Sequence, residues 1–213
     1  MAPDPDQSVG RGDGAARPAT RTATGRRRPQ ERAVRRREAL LEAAVDLLGE
    51  GGFTAVTHRA VAQRAGLPLA ATSYYFSCRD RLLTEAFALL VERELDQMRA
   101  YLDAMPADPP ERLAEILATV YALDRPRQLG LWELYLQAGR DPALQSVARA
   151  WTDGCDEIVA SVLRRAGRPC GRAQVRFVTT VLSGLWLEDI VEARPQSRER
   201  ARDVVVRALD AIG

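Results

Sequence analysis

Lysine is missing from this 213-residue chain: all 31 basic residues are arginine, set against 29 acids. Without lysine there is no Walker-A phosphate loop of the usual kind and no Schiff-base or pyridoxal chemistry. Histidine is nearly missing too. With His58 alone, a multi-histidine metal site is excluded, and a Ser-His-Asp or Cys-His nucleophile would have to run through that one residue. The three cysteines, Cys78, Cys155 and Cys170, are odd in number and lack C-x-x-C spacing, so they read as reduced thiols rather than a disulfide frame. The longest nearly apolar stretch, about 177–187, falls far short of the roughly 20 residues of a membrane-spanning helix. The start of the chain has no apolar signal core. Strand signals are also scarce, with no N-G hairpin and no sustained period-two alternation. These absences predict a cytoplasmic protein with no membrane segment, no metal and no cofactor. Carboxylate-only catalysis stays open, through acids such as Glu133, Asp141, Glu188 or Asp189.

What is present describes a globular helical protein, 46% apolar and 28% charged. Its net charge of +2 hides an asymmetry. Residues 1–37 carry ten arginines and four acids, a balance of +6, and the remainder has a balance of −4. A basic arm before an acidic body suggests an anionic partner such as nucleic acid. Residues 1–30 hold one large aliphatic, Val9, too little apolar surface to offset the entropy of ordering, and are expected to be disordered. The Arg11-Gly12-Asp13 tripeptide in that arm carries no weight in a protein that is not exported. Arg26-Arg27-Arg28 either tracks a minor groove or adds non-specific attraction.

Beyond Arg32, prolines punctuate the chain and the stretches between them read as helices. Spacing predicts nine, near 33–49, 57–65, from 68, 80–104, 110–123, 127–139, 142–166, 171–192 and 197–211. The fold class is all-α. Two short helices meet at Ala65-Gly66-Leu67. Gly66 tolerates the positive φ of a tight turn, and Ala62 and Ala65 are small enough for helices to cross, which makes the pair a candidate helix-turn-helix. Thr57 is its N-cap.

The runs REALLEAAVDLL (37–48), GGF (51–53), THRAVAQRAGL (57–67), ATSYYF (71–76) and CRDRLL (78–83) resemble, in order and spacing, the DNA-binding domain of TetR-family transcriptional regulators. The resemblance implies a helix-turn-helix domain over 31–80 and an effector-binding and dimerisation domain over 81–213. It implies a homodimer that binds a palindromic operator and is released by a small molecule, as a repressor. Arg59 stands where the family reaches a base or phosphate. Leu69, Ala70 and Ala71 begin the recognition helix; being apolar they can touch thymine methyls only, which leaves Arg59, Thr72 or Ser73 to read bases. Of Tyr74 and Tyr75, one is expected to pack and the other to reach phosphate. Arg79 replaces the family's lysine and is expected at a phosphate. Tyr75 replaces a common histidine, and Cys78 replaces a capping Ser or Asn, leaving the following helix poorly capped unless Ser77 serves.

In the effector half, Trp132, Tyr135, Leu136 and Gly139 share a helical face. Trp132, Tyr135 and Leu136, with Tyr121, Phe87, Trp151, Cys155 and Trp186, could line a pocket for a small apolar or aromatic ligand; the alternative is plain core. The last two helices carry apolar faces, with Val178, Val181, Leu182 and Leu185 on one and Val204, Val205 and Leu209 on the other. The resemblance implies a four-helix dimer interface built from them. A regulator answering to a protein partner or to no signal is the alternative, and it would have a packed effector core without a cavity.

Overall fold

Arginine, glutamine and glutamate favour helix even where no apolar stripe demands it. The first helix therefore starts earlier than the hydrophobic pattern does. The computed structural model describes residues 24–105, 112–120, 125–192 and 197–213. Within them α1 spans Thr24–Ala55, nine residues ahead of the predicted start. The expectation of disorder over 1–30 is thus corrected for 24–30; the rest of the arm, with the Arg-Gly-Asp tripeptide, lies outside the described residues. Gly52 (φ 67, ψ −164) kinks the last turns of α1 where a stop was expected.

Eight further helices follow: α2 (His58–Arg64), α3 (Leu69–Tyr75), α4 (Arg79–Asp103), α5 (Leu113–Val120), α6 (Arg125–Ala138), α7 (Pro142–Arg165), α8 (Arg172–Glu192) and α9 (Ser197–Ile212). No strand occurs among the described residues, so the all-α expectation holds. Asp141 caps α7 through Ala143 N at 2.9 Å, with Pro142 opening the helix. Such a cap contributes about 1 kcal/mol.

One continuous apolar core joins the amino-terminal helices to the bundle. Leu40, Ala44 and Leu48 of α1 are sealed against α4, whose Leu82, Leu83, Ala86, Phe87, Leu90, Val91, Leu95 and Met98 recur at helical spacing. Because α4 packs on both α1 and α7, it belongs to the amino-terminal helical unit and to the bundle at once. Truncating one such leucine to alanine would cost about 2–5 kcal/mol. Around this axis α6 lies on α1 and α7, α8 pairs with α9, and α5 closes against α9. Arg165 ties the end of α7 to that of α4 through Leu102 O (2.6 Å) and Met105 O (3.0 Å). Arg200 ties α9 to α8 through Glu188 (3.0 Å) and Asp189 (2.7 Å).

Candidate functional site

The turn between α2 and α3 is a Schellman motif. Leu67 N donates to Ala62 O (2.9 Å) and Gly66 N to Gln63 O (3.2 Å), which requires the left-handed φ of 64 at Gly66. At the other end of α2 the Thr57 hydroxyl accepts from Ala60 N at 3.1 Å. Val61 and Ala62 are buried, and Arg64 grips Glu50 of α1 with two bonds of 2.9 and 2.5 Å. That grip holds the Glu50 carboxyl below its ordinary range and raises Arg64, chiefly through the hydrogen bond itself.

With the frame set, α3 sorts its residues into two faces. Leu69, Ala70, Ser73 and Tyr74 point outward, Tyr74 at 81% exposure. Ala71, Thr72 and Tyr75 turn inward. Thr72 is fully buried, and its hydroxyl donates to Leu69 O at 2.7 Å. The expectation that Thr72 reads a base is therefore corrected: every atom of it is shielded. Tyr75 is the packed member of the tyrosine pair, meeting Tyr74 edge to face at 5.0 Å. Arg59, on the first turn of α2, is exposed and has no partner among the described residues.

Arg79 overturns a second expectation. Its guanidinium does not stand free for a phosphate. Nε donates to Val56 O (2.6 Å), Nη2 donates to Phe53 O, and the plane covers the Phe53 ring at 4.3 Å. Arg79 thus caps the carbonyl end of α1 from the start of α4, a role invisible to local spacing because the partners are more than twenty residues apart. Cys78 precedes α4 without a side-chain cap, and Ser77 does not replace it.

In the bundle, four of the predicted ligand residues converge. Trp132 and Tyr135 of α6, Trp151 of α7 and Trp186 of α8 line a cavity of about 180 Å³, together with Leu131, Thr152, Arg176, Thr179, Thr180 and Ser183. The rings of Trp151 and Trp186 stack at 5.8 Å, and those of Trp132 and Tyr135 meet at 5.6 Å. Tyr135 bonds to Thr152 at 2.5 Å, and burial raises its phenol above the ordinary range, so it stays neutral. The remaining candidates do not join them. Phe87 and Cys155 are sealed in the core and do not line the cavity, and Leu136 projects to solvent at 61% exposure. Tyr121 lies outside the described residues. The polar lining of α8 was legible in principle, since Arg176, Thr179 and Ser183 precede Trp186 at helical spacing.

A larger cleft of about 530 Å³ separates α1, α4 and α6, but its walls are ionic. Arg93 faces Glu42 at 2.7 Å, and Arg127 faces the buried Glu94 at 3.4 Å and Gln97 at 2.7 Å. The acids considered for catalysis do not gather in either space: Asp141 caps α7, and Glu188 and Asp189 hold Arg200. No group of three potential metal ligands occurs among the described residues. No described helix is long and apolar enough to cross a membrane.

The predicted dimer residues also need correction. Val178, Leu182, Leu185, Val205 and Leu209 are buried within the protomer, and Val181 and Val204 are half-buried. They hold α8 to α9 and to the core. Among the described residues, the large exposed apolar side chains of this helix pair are Phe177, Leu187, Val191 and Val206. Gly184 lies on the same outward side of α8, where an added Cβ would meet nothing within 4 Å. Sequence periodicity located two apolar stripes but could not tell an inward stripe from an outward one.

Comparison with known proteins bears on both halves. Residues 40–86 match the family model of bacterial regulatory proteins of the tetR family, and residues 106–211 match the tetracyclin repressor-like C-terminal domain. The HTH-type transcriptional repressor KstR of Rhodococcus jostii is 30% identical over 185 residues, covering 81% of this chain and 78% of its own. A TetR-family member from Streptomyces coelicolor A3 superposes with a TM-score of 0.65 at 31% identity, over 82% of this chain and 98% of its own. The multidrug binding protein EbrR, complexed with proflavin, superposes with a TM-score of 0.62 at 31% identity, over 81% and 99%.

Proposed function

Because the chain belongs to the TetR family of DNA-binding transcriptional regulators, we propose that it is a homodimeric repressor whose grip on a palindromic operator is loosened by a small aromatic ligand. Arg59, Ser73 and Tyr74 are the polar contacts to DNA, with Leu69 and Ala70 against base edges. Phe177, Gly184, Leu187, Val191 and Val206 form the face that meets a second copy. A glycine in mid-helix costs about 0.5–1 kcal/mol relative to alanine, and at Gly184 no contact within the protomer requires one. Close approach of a partner helix does. The protein works in the cytoplasm as a regulator rather than an enzyme; its best-placed carboxylates serve as caps and ion-pair partners.

The observation that carries the ligand-responsive reading is that one helix serves both sites. Trp132 and Tyr135 of α6 wall the cavity, while Pro126 and Gly130 of the same helix press on α1 and α4. A Cβ added at Gly49 would lie 3.0 Å from Pro126 Cβ, and one at Gly130 would lie 3.0 Å from Leu90. A shift of α6 therefore pushes on α1 directly as well as through α4. Since Arg79 and Arg64 bind α1 to α4 and α2, the helix-turn-helix moves with it, away from the roughly 34–36 Å half-site spacing that DNA favours. A coupling of about 1–3 kcal/mol makes this a 5- to 150-fold change in operator affinity. A regulator without a small-molecule signal would fill the space between α6, α7 and α8 with side chains.

Selection of bound fragments from genomic DNA tests the reading, followed by titration of small apolar and aromatic compounds against the selected site. A shared palindrome released by at least one compound is expected. Fragments without a common site overturn the DNA assignment. Release by none of the compounds overturns the ligand half alone.

A further inference from the structure

We propose that the second copy of the chain roofs the cavity between α6, α7 and α8, so that the ligand site is complete only in the dimer. The inference rests on the homodimer reading above and concerns what closes the site.

The cavity opens along α8. Among the described residues that line it, only Arg176 and Thr180 are exposed, and both belong to α8. Those from α6 and α7 are buried or half-buried. A space whose exposed walls come from one helix has its mouth beside that helix.

Helical spacing then places the mouth in the face that meets the second copy. Thr180 follows Phe177 by three residues and precedes Gly184 by four and Leu187 by seven, so the four share one stripe. The helical rise puts Thr180 about 6 Å along the axis from Gly184. A helix with its side chains is about 10–12 Å across. One that settles on Gly184, where an added Cβ meets nothing within 4 Å, therefore reaches Thr180 at any crossing angle. Because a two-fold interface meets its own image, each copy covers the other's mouth.

The rim accepts such a cover. The Thr180 hydroxyl donates to Arg176 O at 2.7 Å, and the Ser183 hydroxyl donates to Thr179 O at 2.9 Å. Arg176 keeps Asp156 as its counter-ion at 2.8 Å. Covering a hydroxyl whose proton had no acceptor would cost about 1–3 kcal/mol, and neither rim hydroxyl is in that state. What the stripe brings is apolar, with Phe177, Leu187 and Val191 as its large exposed side chains. A guest in the cavity then touches both protomers, which links its occupancy to the way they are set against each other.

All three tryptophans of the chain, Trp132, Trp151 and Trp186, line this cavity, so tryptophan emission reports on access to it. The test measures acrylamide quenching of that emission alongside sedimentation, on the full chain without ligand. Monomers are made by Phe177→Arg, or by Val191→Arg about two helical turns beyond Ser183. Their quenching constant is expected to exceed that of the unaltered dimer about two- to threefold, because the surface that excluded water is gone. Dilution of the unaltered protein through its own dissociation gives the same comparison if neither variant folds. Thr180→Arg, a change at the exposed rim, should dissociate the dimer as Phe177→Arg does. Folded monomers quenched no more than the dimer, or a Thr180→Arg dimer as tight as the unaltered one, overturn the roof and leave the homodimer standing. A chain that sediments as a monomer at every concentration, or a Phe177→Arg dimer as tight as the unaltered one, overturns the homodimer face and the roof with it.

Discussion

In the helix-turn-helix the side chains that shape the unit are satisfied and the groups left over face water. Thr57, Thr72, Arg64 and Arg79 all have partners within the protein, and Arg59, Ser73 and Tyr74 stand outside. Between α6, α7 and α8 the pattern reverses: aromatic side chains of three helices turn inward onto one cavity. The difference shows what each region is ready to meet. A surface of free, hydrated polar groups suits a large, charged partner that brings its own counter-charges. A space walled by aromatic rings suits an apolar or aromatic guest.

Four measurements would break or sharpen this contrast. The largest effect is expected at the outward face of α8, where Phe177→Arg should yield folded monomers in sedimentation and abolish operator binding. Leu185→Arg buries a charge instead and should unfold the chain; a folded Leu185→Arg monomer beside an intact Phe177→Arg dimer would move the interface back to the inward stripe. Next is Arg79→Ala. It removes two charge-assisted hydrogen bonds and a cation–π contact, and is expected to cost about 3 kcal/mol of stability by denaturant unfolding. An unaltered midpoint with lost DNA binding would return Arg79 to the phosphate role that the sequence suggested.

Third, Arg59→Ala should weaken operator binding by about 1–3 kcal/mol and, if the contact is to phosphate, flatten the salt dependence by about 0.9. Stability should change by less than about 0.5 kcal/mol. A large loss of stability would mean that Arg59 supports the fold and would blur the contrast. The smallest effect is a pH dependence. Arg64 lowers the folded-state pKa of Glu50, so the pair's contribution is present above the unfolded value of about 4.3 and is lost as pH falls through the folded one. Thermal melts of the protein and of Glu50→Gln should therefore differ near neutrality and converge in acid. Melts that stay parallel throughout would show that the Glu50–Arg64 contact between α1 and α2 adds no stability.

The parts of the molecule legible in the sequence are those whose causes are local. Gly66 after Ala65, Thr57 before His58 and Pro142 after Asp141 each announce a turn or cap within a few residues. All three occur where expected, because the hydrogen bonds they make close over short spans. Helix number followed from apolar periodicity and proline placement for the same reason. The start of α1 was missed because burial was the criterion, and a helix of good formers needs no burial to form. Arg79 and Thr72 were misread because exposure depends on what lies across the fold.

By itself the sequence determined that the chain is all helical, that it carries a helix-turn-helix, and which side chains populate each helical stripe, since these rest on propensity, capping and 3.6-residue spacing. Only the tertiary structure decided which stripe of α8 faces inward, that four of eight ligand candidates share one cavity, and that Arg79 clasps α1 instead of reaching outward. Those outcomes depend on contacts between residues far apart in the chain. A stripe shows that a face must be covered, and packing decides what covers it.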